Sequence, residues 1–590
     1  MKDFPQNSHF HPEFITTPID KSAFEGWAWT YLLLSNHASP NSVQSGFKEF
    51  YSSQTGEVTE EIKIKPHLQN ISDIHLHSNK LREIESNGNM SVVHTLSIAA
   101  FILLLIALAN YSNLNIGMAD FSDKYLLISK VSGSSIWMNL KYFLSEGIII
   151  VLTSVVISGT IAIFANILIQ KHFALNLFSG NLPLIILVLV LFSLLGLLSG
   201  ILPLAKQGIS DLKLSSDFKN KPDLRRKGLS KSIIVLQYTI SIALLVAVIV
   251  IRRQTNYALD SSMGVDADNL ICFEDVHTNV QEKFGVFKEE LLKFSSIESV
   301  SAMFEPPGGE ANDMFQFTME GYVADEANKP DNMIGVFPCD YSFATIFNLH
   351  FLSGGNFTEN NQDNEGSGEY IINRSAMRRL NYTDPGEIIG KEFGFNTNID
   401  GITIPTGKII GVVEDFHLSS IKKEIEPLVF FKRQALWLIN FVISFQPGME
   451  TKAVADIESL WKKMFPEYPF RYKYVRSIYE DVYKTELLQA GLLSIFTFIA
   501  LFICSMGLLG LSLLTTQRRT KEIGIRKING ARIREIMTML NRDLLKWIVI
   551  SFVMAVPLAL FFMNKWLESF AYKIALSWWI FALAGLTALL

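Results

Sequence analysis

The sequence predicts a multi-span α-helical membrane protein with mixed α/β (α+β) outer domains, built from two related halves. Composition is the first observation: mean hydropathy is +0.25 and only 18% of the 590 residues are charged, whereas soluble domains carry about a quarter. The second is a set of seven apolar runs close to the length of a bilayer crossing. The third is a segment that recurs after a shift of 397 residues, each copy lying between two such runs.

The apolar runs predict seven membrane-spanning helices. A helix crosses the hydrocarbon core with about 20 apolar residues, and helices satisfy their own backbone groups where no water is present. The runs are Val92–Ala109, Ile148–Ile169, Leu182–Leu204, Ser232–Ile251, Gly491–Leu514, Trp547–Met563 and Ser577–Leu590. Because the last holds only 14 residues, we expect its helix to continue past the end of this sequence.

The distribution of Lys and Arg predicts the orientation of the spans. Residues 205–231 carry eight basic residues and residues 515–546 carry nine, whereas residues 170–181 carry one and residues 564–576 carry two. Short loops rich in Lys and Arg stay in the cytoplasm. Alternation then places residues 1–91 and the long stretch 252–488 outside. No signal peptide precedes the first outer block, so we expect a further helix upstream of Met1.

The repeated segment aligns Ile128–Ile136 with Ile525–Ile533, so that Gly133 falls on Gly530 and Lys124 falls on Lys521. The two copies differ in charge. Four charged residues of the second copy have uncharged counterparts in the first: Arg518, Arg519, Glu522 and Arg526 align with Phe121, Ser122, Tyr125 and Ser129. The two loops therefore make unequal polar contacts.

The second copy predicts a short amphipathic helix that docks onto a separate protein. Arg518, Glu522 and Arg526 follow one another at i, i+4 spacing and can share a helix face. Gly530 suits a C-terminal cap, and isoleucines between the charges could anchor in a partner's pocket. The alternative is a positive-inside loop that touches anionic lipid headgroups; the reversed charge of Glu522 favours docking.

Arg519–Ala531 closely resembles the coupling segment of FtsX-like and MacB-like ABC transporter permeases. Further segments resemble the periplasmic domains of this family, and the resemblance covers nearly the whole chain: Asp73–Ser78, Gly354–Phe357, Ile371–Asn373, Pro385 with Ile389–Lys391, Ile410–His417 and Pro427–Phe430. It fits duplicated permeases with eight spans and two periplasmic domains. The first coupling segment departs from the pattern because it is degenerate.

The resemblance implies a division of the chain into six parts. These are a partial first periplasmic domain (1–91), a first FtsX-like membrane unit (92–204) with the degenerate coupling segment 120–136, a cytoplasmic linker (205–231), a single span (232–251), a second periplasmic MacB-type domain (252–488), and a second FtsX-like membrane unit (489–590) with the coupling segment 516–534.

The resemblance also implies a non-catalytic subunit of the bacterial inner membrane, driven by a cytoplasmic ATPase dimer that uses the ATP. The residues implied in ATPase coupling are Arg518, Arg519, Lys521, Glu522, Ile523, Gly524, Ile525, Arg526, Lys527, Gly530, Ala531, Lys124, Lys130 and Gly133. Membrane lipid, a periplasmic adaptor and an outer-membrane channel are further expected partners. Two outer domains favour efflux of a drug, peptide or other periplasmic substrate; lipoprotein release, control of a cell-wall hydrolase and a membrane sensor remain alternatives.

Other patterns indicate no active site, bound cofactor or metal. No GxxxxGK[ST] loop or catalytic constellation occurs, and a net charge of −5 gives no reason to expect nucleic acid. Leu352–Gly355 spells the start of an ABC ATPase signature, but its outer position predicts a turn. His75 and His77 would share one side of a strand, yet no third metal ligand is near.

The long outer stretch is predicted to mix strands and helices. Alternating residues in Lys408–Val413 and Phe441–Phe445 indicate strands, and Thr451–Met464 has a helical pattern. Three cysteines occur without metal-ligand spacing. Cys272 and Cys339 fall in the outer domain, where the sequence leaves a disulfide open.

Overall fold

The structure is a computed structural model. It describes residues 29–55, 67–78, 80, 83, 84, 88–173, 176, 178, 180–205, 224–261, 267–309, 313–322, 332–359, 367–396, 404–432 and 437–589. Most of the predicted linker 205–231, with its basic residues Lys206, Lys213, Lys219 and Lys221, lies outside the described residues. The chain divides into two compact units, residues 1–95 and residues 96–590.

The first unit contains the helices α1 (Pro40–Thr55) and α2 (Ile71–His77). The side chain of Asn70 caps α2 by accepting a hydrogen bond from the backbone N–H of Ser72 at 3.2 Å. His75 and His77 lie on this helix and not on a strand. Side chains two positions apart point to different faces of a helix, so the geometry imagined for a shared metal was wrong.

The apolar runs all form helices. The long helices are α3 (Met90–Val131), α4 (Ile136–Phe173), α5 (Leu182–Ala205), α6 (Leu224–Asp260), α14 (Lys484–Arg518) and α16 (Ile533–Leu567), and the short last one is α17 (Trp578–Leu589). Within the described residues, five stretches are long and apolar enough to cross a membrane: Met90–Leu114, Trp137–Lys171, Lys231–Asp260, Lys484–Arg518 and Ile533–Leu567. The predicted multi-span helical class is confirmed.

Helix α6 lies at the centre of a bundle with α14, α16 and α17. Its buried residues Ile242 and Val250 pack with alanines of the neighbouring helices, namely Ala500, Ala555 and Ala584. Small residues let apolar helices approach closely, which is the main source of helix packing in a membrane. The bundle is therefore held by close backbone approach.

Polar side chains join the helices of the two halves. Asn110 of α3 donates its Nδ2–H to the backbone oxygen of Ile503 at 2.9 Å, and Gln237 of α6 donates to the backbone oxygen of Ile106 at 3.0 Å. A Cβ atom at Gly507 would overlap the Asn110 amide, so glycine is required there. Asn110 and Gly507 are related by the 397-residue shift, so equivalent positions of the two halves face each other.

Between α6 and α14 the chain forms a mixed α/β domain, here named the sheet domain. Its strands are β1 (Leu270–Phe273), β2 (Ile297–Met303), β3 (Met314–Met319), β4 (Met333–Cys339), β5 (Phe351–Gly354), β6 (Gly368–Asn373), β7 (Glu392–Asn396), β8 (Gly407–Val413), β9 (Leu428–Lys432), β10 (Asn440–Phe445) and β11 (Lys473–Tyr474). Its helices are α7 (Thr278–Gln281), α8 (Phe284–Leu291), α9 (Phe343–Ile346), α10 (Arg374–Arg379), α11 (Pro385–Ile388), α12 (Glu450–Met464) and α13 (Val475–Val482).

The strand order is β11-β1-β10-β2-β4-β3-β7-β8-β6-β9, with β5 paired to β8. Strands β4 and β9 also pair, in parallel, which closes six strands into a ring. The other four strands form two interleaved β-α-β units, β1-α8-β2 and β10-α12-β11, with both helices packed on one core. The predicted strands in β8 and β10 and the predicted helix α12 are confirmed.

The structure of this domain excludes a Cys272–Cys339 disulfide and corrects the turn predicted at Leu352–Gly355. Cys272 and Cys339 are free, buried thiols on strands separated by two others, about 14 Å at the usual strand spacing, and a disulfide requires Cα atoms within about 7 Å. Leu352–Gly355 is not simply a turn. Most of it belongs to β5, which ends at Gly354 with a φ of 75°.

Candidate coupling site

The predicted coupling segment is a separate short helix at one end of the bundle. Helix α14 ends at Arg518, Arg519 forms a turn, and helix α15 (Thr520–Ile528) follows. The expectation of one uninterrupted helical face from Arg518 to Arg526 was therefore wrong. No residue of α15 is buried, so most of its surface is open to a partner.

Gly530 ends this helix as predicted. It has a φ of 87°, its N–H donates to the Lys527 oxygen at 3.2 Å, and the N–H of Ala531 donates to the Arg526 oxygen at 3.0 Å. This pair of bonds is a Schellman motif, which needs a left-handed residue at the glycine position. Helix α16 then begins at Ile533.

The first half contains the same turn after a 397-residue shift. Gly133 has a φ of 82°, and the N–H of Ser134 donates to the Ser129 oxygen at 2.9 Å, which matches the bond from Ala531 to Arg526. Helix α4 begins at Ile136, the counterpart of Ile533. One feature differs: α3 continues to Val131 without the interruption that Arg519 introduces in the second half.

The second copy presents a cationic surface. Arg526 donates from Nη2 to Oε1 of Glu522 at 2.9 Å, and both side chains are about half exposed. Such a pair adds only a few tenths of a kcal/mol to helix stability, so its value lies in orienting Arg526. Lys521 and Lys527 are exposed as well. The side chains of Lys124 and Lys130 in the first copy lie outside the described residues.

Exposed apolar residues accompany these charges in both copies. Ile525 and Ile528 are 62% and 87% exposed, and their counterparts Ile128 and Val131 are 69% and 81% exposed. Ile523 and Gly524 are half-buried. Apolar anchors beside oriented charges are what a docking surface offers a partner. The exposed apolar residues are thus present in both copies, whereas the sequence places the Glu522–Arg526 pair in the second copy alone.

The opposite end of α14 is fastened to the sheet domain. Oε1 of Glu486 lies 2.5 Å from Nζ of Lys422, and the buried Tyr483 hydroxyl accepts the backbone N–H of Ile421 at 2.9 Å. The oxygens of Ile421 and Lys422 in turn accept the N–H groups of Tyr572 and Ala571 at 3.2 and 3.3 Å. These six residues, which lie far apart in sequence, are named the joint.

Helix α6 takes part in the same junction through Gln254, which is fully buried. Its Nε2–H donates to the oxygen of Tyr572, and its Oε1 accepts the N–H of Ile574, both at 2.9 Å. The side chain of Gln254 therefore satisfies one carbonyl oxygen and one N–H group of the loop after α16. Sequence reasoning missed the joint; the family-like segment Ile410–His417, a few residues before it, was the available signal.

We expect Lys422→Met to destabilise the protein by about 2 kcal/mol. Glu486 is almost completely buried and would lose its cation, which costs roughly 3–5 kcal/mol for a fully buried pair; the cost is lower here because Lys422 is one-third exposed. Thermal unfolding of the full chain measures it. Adding Glu486→Gln should restore most of the loss, and Lys462→Met, which breaks the exposed pair with Glu458, should change little. An equal loss of stability in Lys422→Met and Lys462→Met would contradict this explanation.

A pH effect is expected at His417, whose ring packs edge-on against Tyr572 at 4.4 Å between centroids. Burial lowers the pKa of His417, and the nearby Asp415 opposes this. The folded protein thus binds a proton less readily than the unfolded chain, so this histidine's contribution to stability is lost as pH falls below about 6.5. His417→Phe should reduce the drop in melting temperature between pH 7.5 and 5.5; an unchanged drop would show that other groups cause it.

The geometry defines a class: a multi-span membrane protein whose bundle has a sheet domain at one end and, at the other, the exposed helix α15 with its cap at Gly530. This end and its counterpart at Gly133 are named the docking turns, after the role that the sequence predicts for them. Residues 494–590 match the family model of the FtsX-like permease C-terminal domain. This part of the chain is therefore similar to an FtsX-like permease domain, as the coupling motif predicted. The match spans α15 and its glycine cap together with helices α16 and α17.

The periplasmic region of MacB from Actinobacillus actinomycetemcomitans is similar over 36% of this chain and 92% of its own length, with 14% identity and a TM-score of 0.26. No curated protein matches the chain by sequence. The family assignment rests on the match to residues 494–590.

Proposed function

We propose that this chain is the permease subunit of an ABC transporter, and that a separate cytoplasmic ATPase dimer drives movement of its outer domains. The observation that carries the proposal is the continuity of α14. Its 35 residues extend about 52 Å from the joint at the sheet domain to the docking turn. Helix α13 ends at Val482 and α14 begins at Lys484, so almost no flexible chain lies between the sheet domain and this rod.

The two docking turns support an ATPase dimer as the partner. Equivalent positions of the two halves face each other at Asn110 and Gly507, and we infer from this that the turns at Gly133 and Gly530 are related by an approximate two-fold arrangement. A symmetric ATPase dimer presents two equivalent pockets. One permease chain would then occupy both, with Ile128 and Val131 in one pocket and Ile525 and Ile528 in the other.

In the proposed cycle, closure of the ATPase dimer on ATP displaces α15, and α14 transmits the displacement to the joint. The Lys422–Glu486 pair and the Ile421–Tyr483 bond convert it into movement of the sheet domain. The substrate need not pass between the spans. We propose that the movement serves efflux of a drug, peptide or other periplasmic substrate across the envelope of a bacterium, with the chain in the inner membrane.

Co-purification tests the proposal. The full chain, isolated in detergent from native membranes, should retain two ATPase subunits per permease chain. Glu522→Lys should remove them because it reverses the charge that orients Arg526. The matched control is Glu458→Lys, which reverses the acid of a similar exposed i, i+4 pair in the sheet domain and should leave the complex intact. Absence of any ATPase from the wild-type chain would contradict the proposal.

The efflux role needs its own measurement. A strain that lacks this gene should accumulate the exported compound and become more sensitive to it, and the wild-type gene should restore the phenotype while the Glu522→Lys variant should not. A deletion that instead traps lipoproteins in the inner membrane, or blocks cell-wall cleavage, would retain the permease assignment and overturn efflux.

A further inference from the structure

An open depression of about 710 Å³ lies along one face of the first turns of α16, next to the docking turn but on different residues, and is named the α16 groove. Cationic side chains line it together with apolar ones, chiefly Arg534, Arg542, Lys546, Leu545, Val549 and Ile550. None of its described lining residues is acidic. The groove is separate from the two sites described above, because neither the joint nor α15 contributes a described residue to it.

Two cation–π contacts mark where the membrane boundaries cross the bundle. Nζ of Lys231 lies 5.0 Å from the centre of the Trp547 ring, and the Arg253 guanidinium lies 4.9 Å from the centre of the Trp579 ring. Lys231 and Arg253 are both on α6 and about 33 Å apart along it, close to the roughly 30 Å thickness of a hydrocarbon core. Tryptophan and lysine concentrate at these interfaces, so Trp547 marks the boundary on the docking side.

The groove crosses this boundary. Arg534, Arg542 and Lys546 precede Trp547 on α16 and lie at or beyond the headgroup level, whereas Val549 and Ile550 follow it and lie in the hydrocarbon layer. A ligand that fills the groove must therefore combine an anionic head with an apolar tail. An anionic phospholipid has this combination, and its head would lie at the depth where bilayer headgroups lie.

Comparison with the first half shows that membrane orientation alone does not explain the cations of α16. At the positions equivalent to Arg534, Arg542 and Lys546, helix α4 has Trp137, Ser145 and Ile149. Both helices leave the same kind of turn at the same side of the bundle, so the positive-inside rule acts on both equally. Only α16 has acquired the cationic cluster.

We propose that the α16 groove binds one anionic glycerophospholipid from the surrounding bilayer leaflet. Arg542 and Lys546 hold the phosphate, Arg534 adds to the local positive potential, and an acyl chain lies along Leu545, Val549 and Ile550. Attraction of about 1 kcal/mol for each cation near an anionic surface corresponds to roughly a fivefold gain in affinity per side chain. The proposal does not depend on the ATPase, because the site is formed by the permease chain alone.

Native mass spectrometry of the detergent-purified full chain tests the proposal with phosphatidylglycerol and phosphatidylcholine as probes. The wild type should retain one phosphatidylglycerol at concentrations where phosphatidylcholine is lost. Arg542→Gln combined with Lys546→Gln should weaken retention by about 25-fold, and the charge-preserving Arg542→Lys should weaken it by less than fivefold. Lys141→Gln, at an exposed cation of α4, is the matched control and should have no effect.

Several results would overturn the lipid site. Equal retention of both lipids would show that charge is not recognised, and an equal loss in Lys141→Gln would show a general surface effect. Free inorganic phosphate that displaces the lipid at millimolar concentration would indicate a site for the phosphate group alone. If the double variant retained lipid but lost the co-purifying ATPase, the groove would be a protein contact. A melting temperature of the double variant within about 2 °C of wild type, the scatter expected for surface substitutions, confirms that each comparison concerns folded protein.

Discussion

Ile528→Asp should abolish permease-dependent ATP hydrolysis, whereas Val131→Asp should reduce it only partly. Both residues lie at the end of a helix just before a cap glycine, both are more than four-fifths exposed, and the 397-residue shift relates them. Neither substitution removes buried packing, so neither should affect folding. Any difference between them therefore reports how strongly each turn engages its partner.

The expected difference follows from the charges. Ile528 is accompanied by the Glu522–Arg526 pair, so its turn offers an apolar anchor beside an oriented charge. Lys521 and Lys527 align with Lys124 and Lys130 and do not distinguish the two turns. Truncating a central anchor typically costs 2 kcal/mol or more, which is about 30-fold in affinity. Val131 has the anchor position without the Glu522–Arg526 pair, and we expect less than tenfold there. Equal losses, or a larger loss for Val131→Asp, would contradict the proposed asymmetry.

Lys288→Met should destabilise the sheet domain by roughly 3–5 kcal/mol, the usual cost of breaking a buried ion pair. Nζ of Lys288 lies 2.5 Å from Oδ2 of Asp340, 2.7 Å from the Ser342 hydroxyl and 3.6 Å from the centre of the Tyr341 ring. Lys288 is 4% exposed and Asp340 is 7% exposed. Burial lowers the pKa of Lys288, and Asp340 opposes this. Without the lysine, Asp340 would remain as a buried, uncompensated charge.

The free cysteines of the sheet domain provide the measurement. Cys272 and Cys339 are fully buried, and burial raises the pKa of both thiols, so they should react with a thiol reagent only when the domain opens. Lys288→Met should accelerate labelling of both, and Lys288→Met combined with Asp340→Leu should recover most of the protection because the buried charge is gone. If the double variant opens as readily as the single one, Lys288 acts through packing and not through its charge.

Much of the architecture was predictable because it depends on local signals. Apolar runs of about 20 residues can hardly form anything but helices in a bilayer, and Gly530 marked the helix end because a left-handed residue costs little only at glycine. Alternating residues likewise indicated strands β8 and β10. In each case the physical constraint acts within a few residues of the signal.

Other features depend on contacts between distant segments. The joint brings Lys422 to Glu486 and Ile421 to Tyr572, and no local pattern marks either pair. The ring in the sheet domain closes through the pairing of β4 with β9, which the alternation of either strand does not specify. The spacing of His75 and His77 was considered on a strand, but the asparagine cap at Asn70 starts a helix there. The interruption at Arg519 likewise has no glycine or proline to signal it.

The arrangement of the coupling residues was only partly predictable from the sequence. Sequence reasoning located Glu522, Arg526 and Gly530 in one segment, and the structure places them on one exposed turn. The sequence aligned Gly133 with Gly530, but it did not show that the first turn forms the same cap while α3 continues to Val131 without an interruption. That comparison required both backbones. The resulting expectation is two docking turns of unequal strength, not one functional site and one vestige.

Photo-crosslinking in living cells tests whether both docking turns contact an ATPase subunit, the second more strongly than the first. The crosslinker p-benzoylphenylalanine replaces Ile528 or Val131 in the full chain, and Val156, an exposed residue in the middle of α4, is the lipid-facing control. Both turn positions should capture a polypeptide containing a GxxxxGK[ST] loop, with the higher yield at position 528, and position 156 should capture none. Capture of proteins that lack this loop, or no capture at position 528, would contradict this prediction.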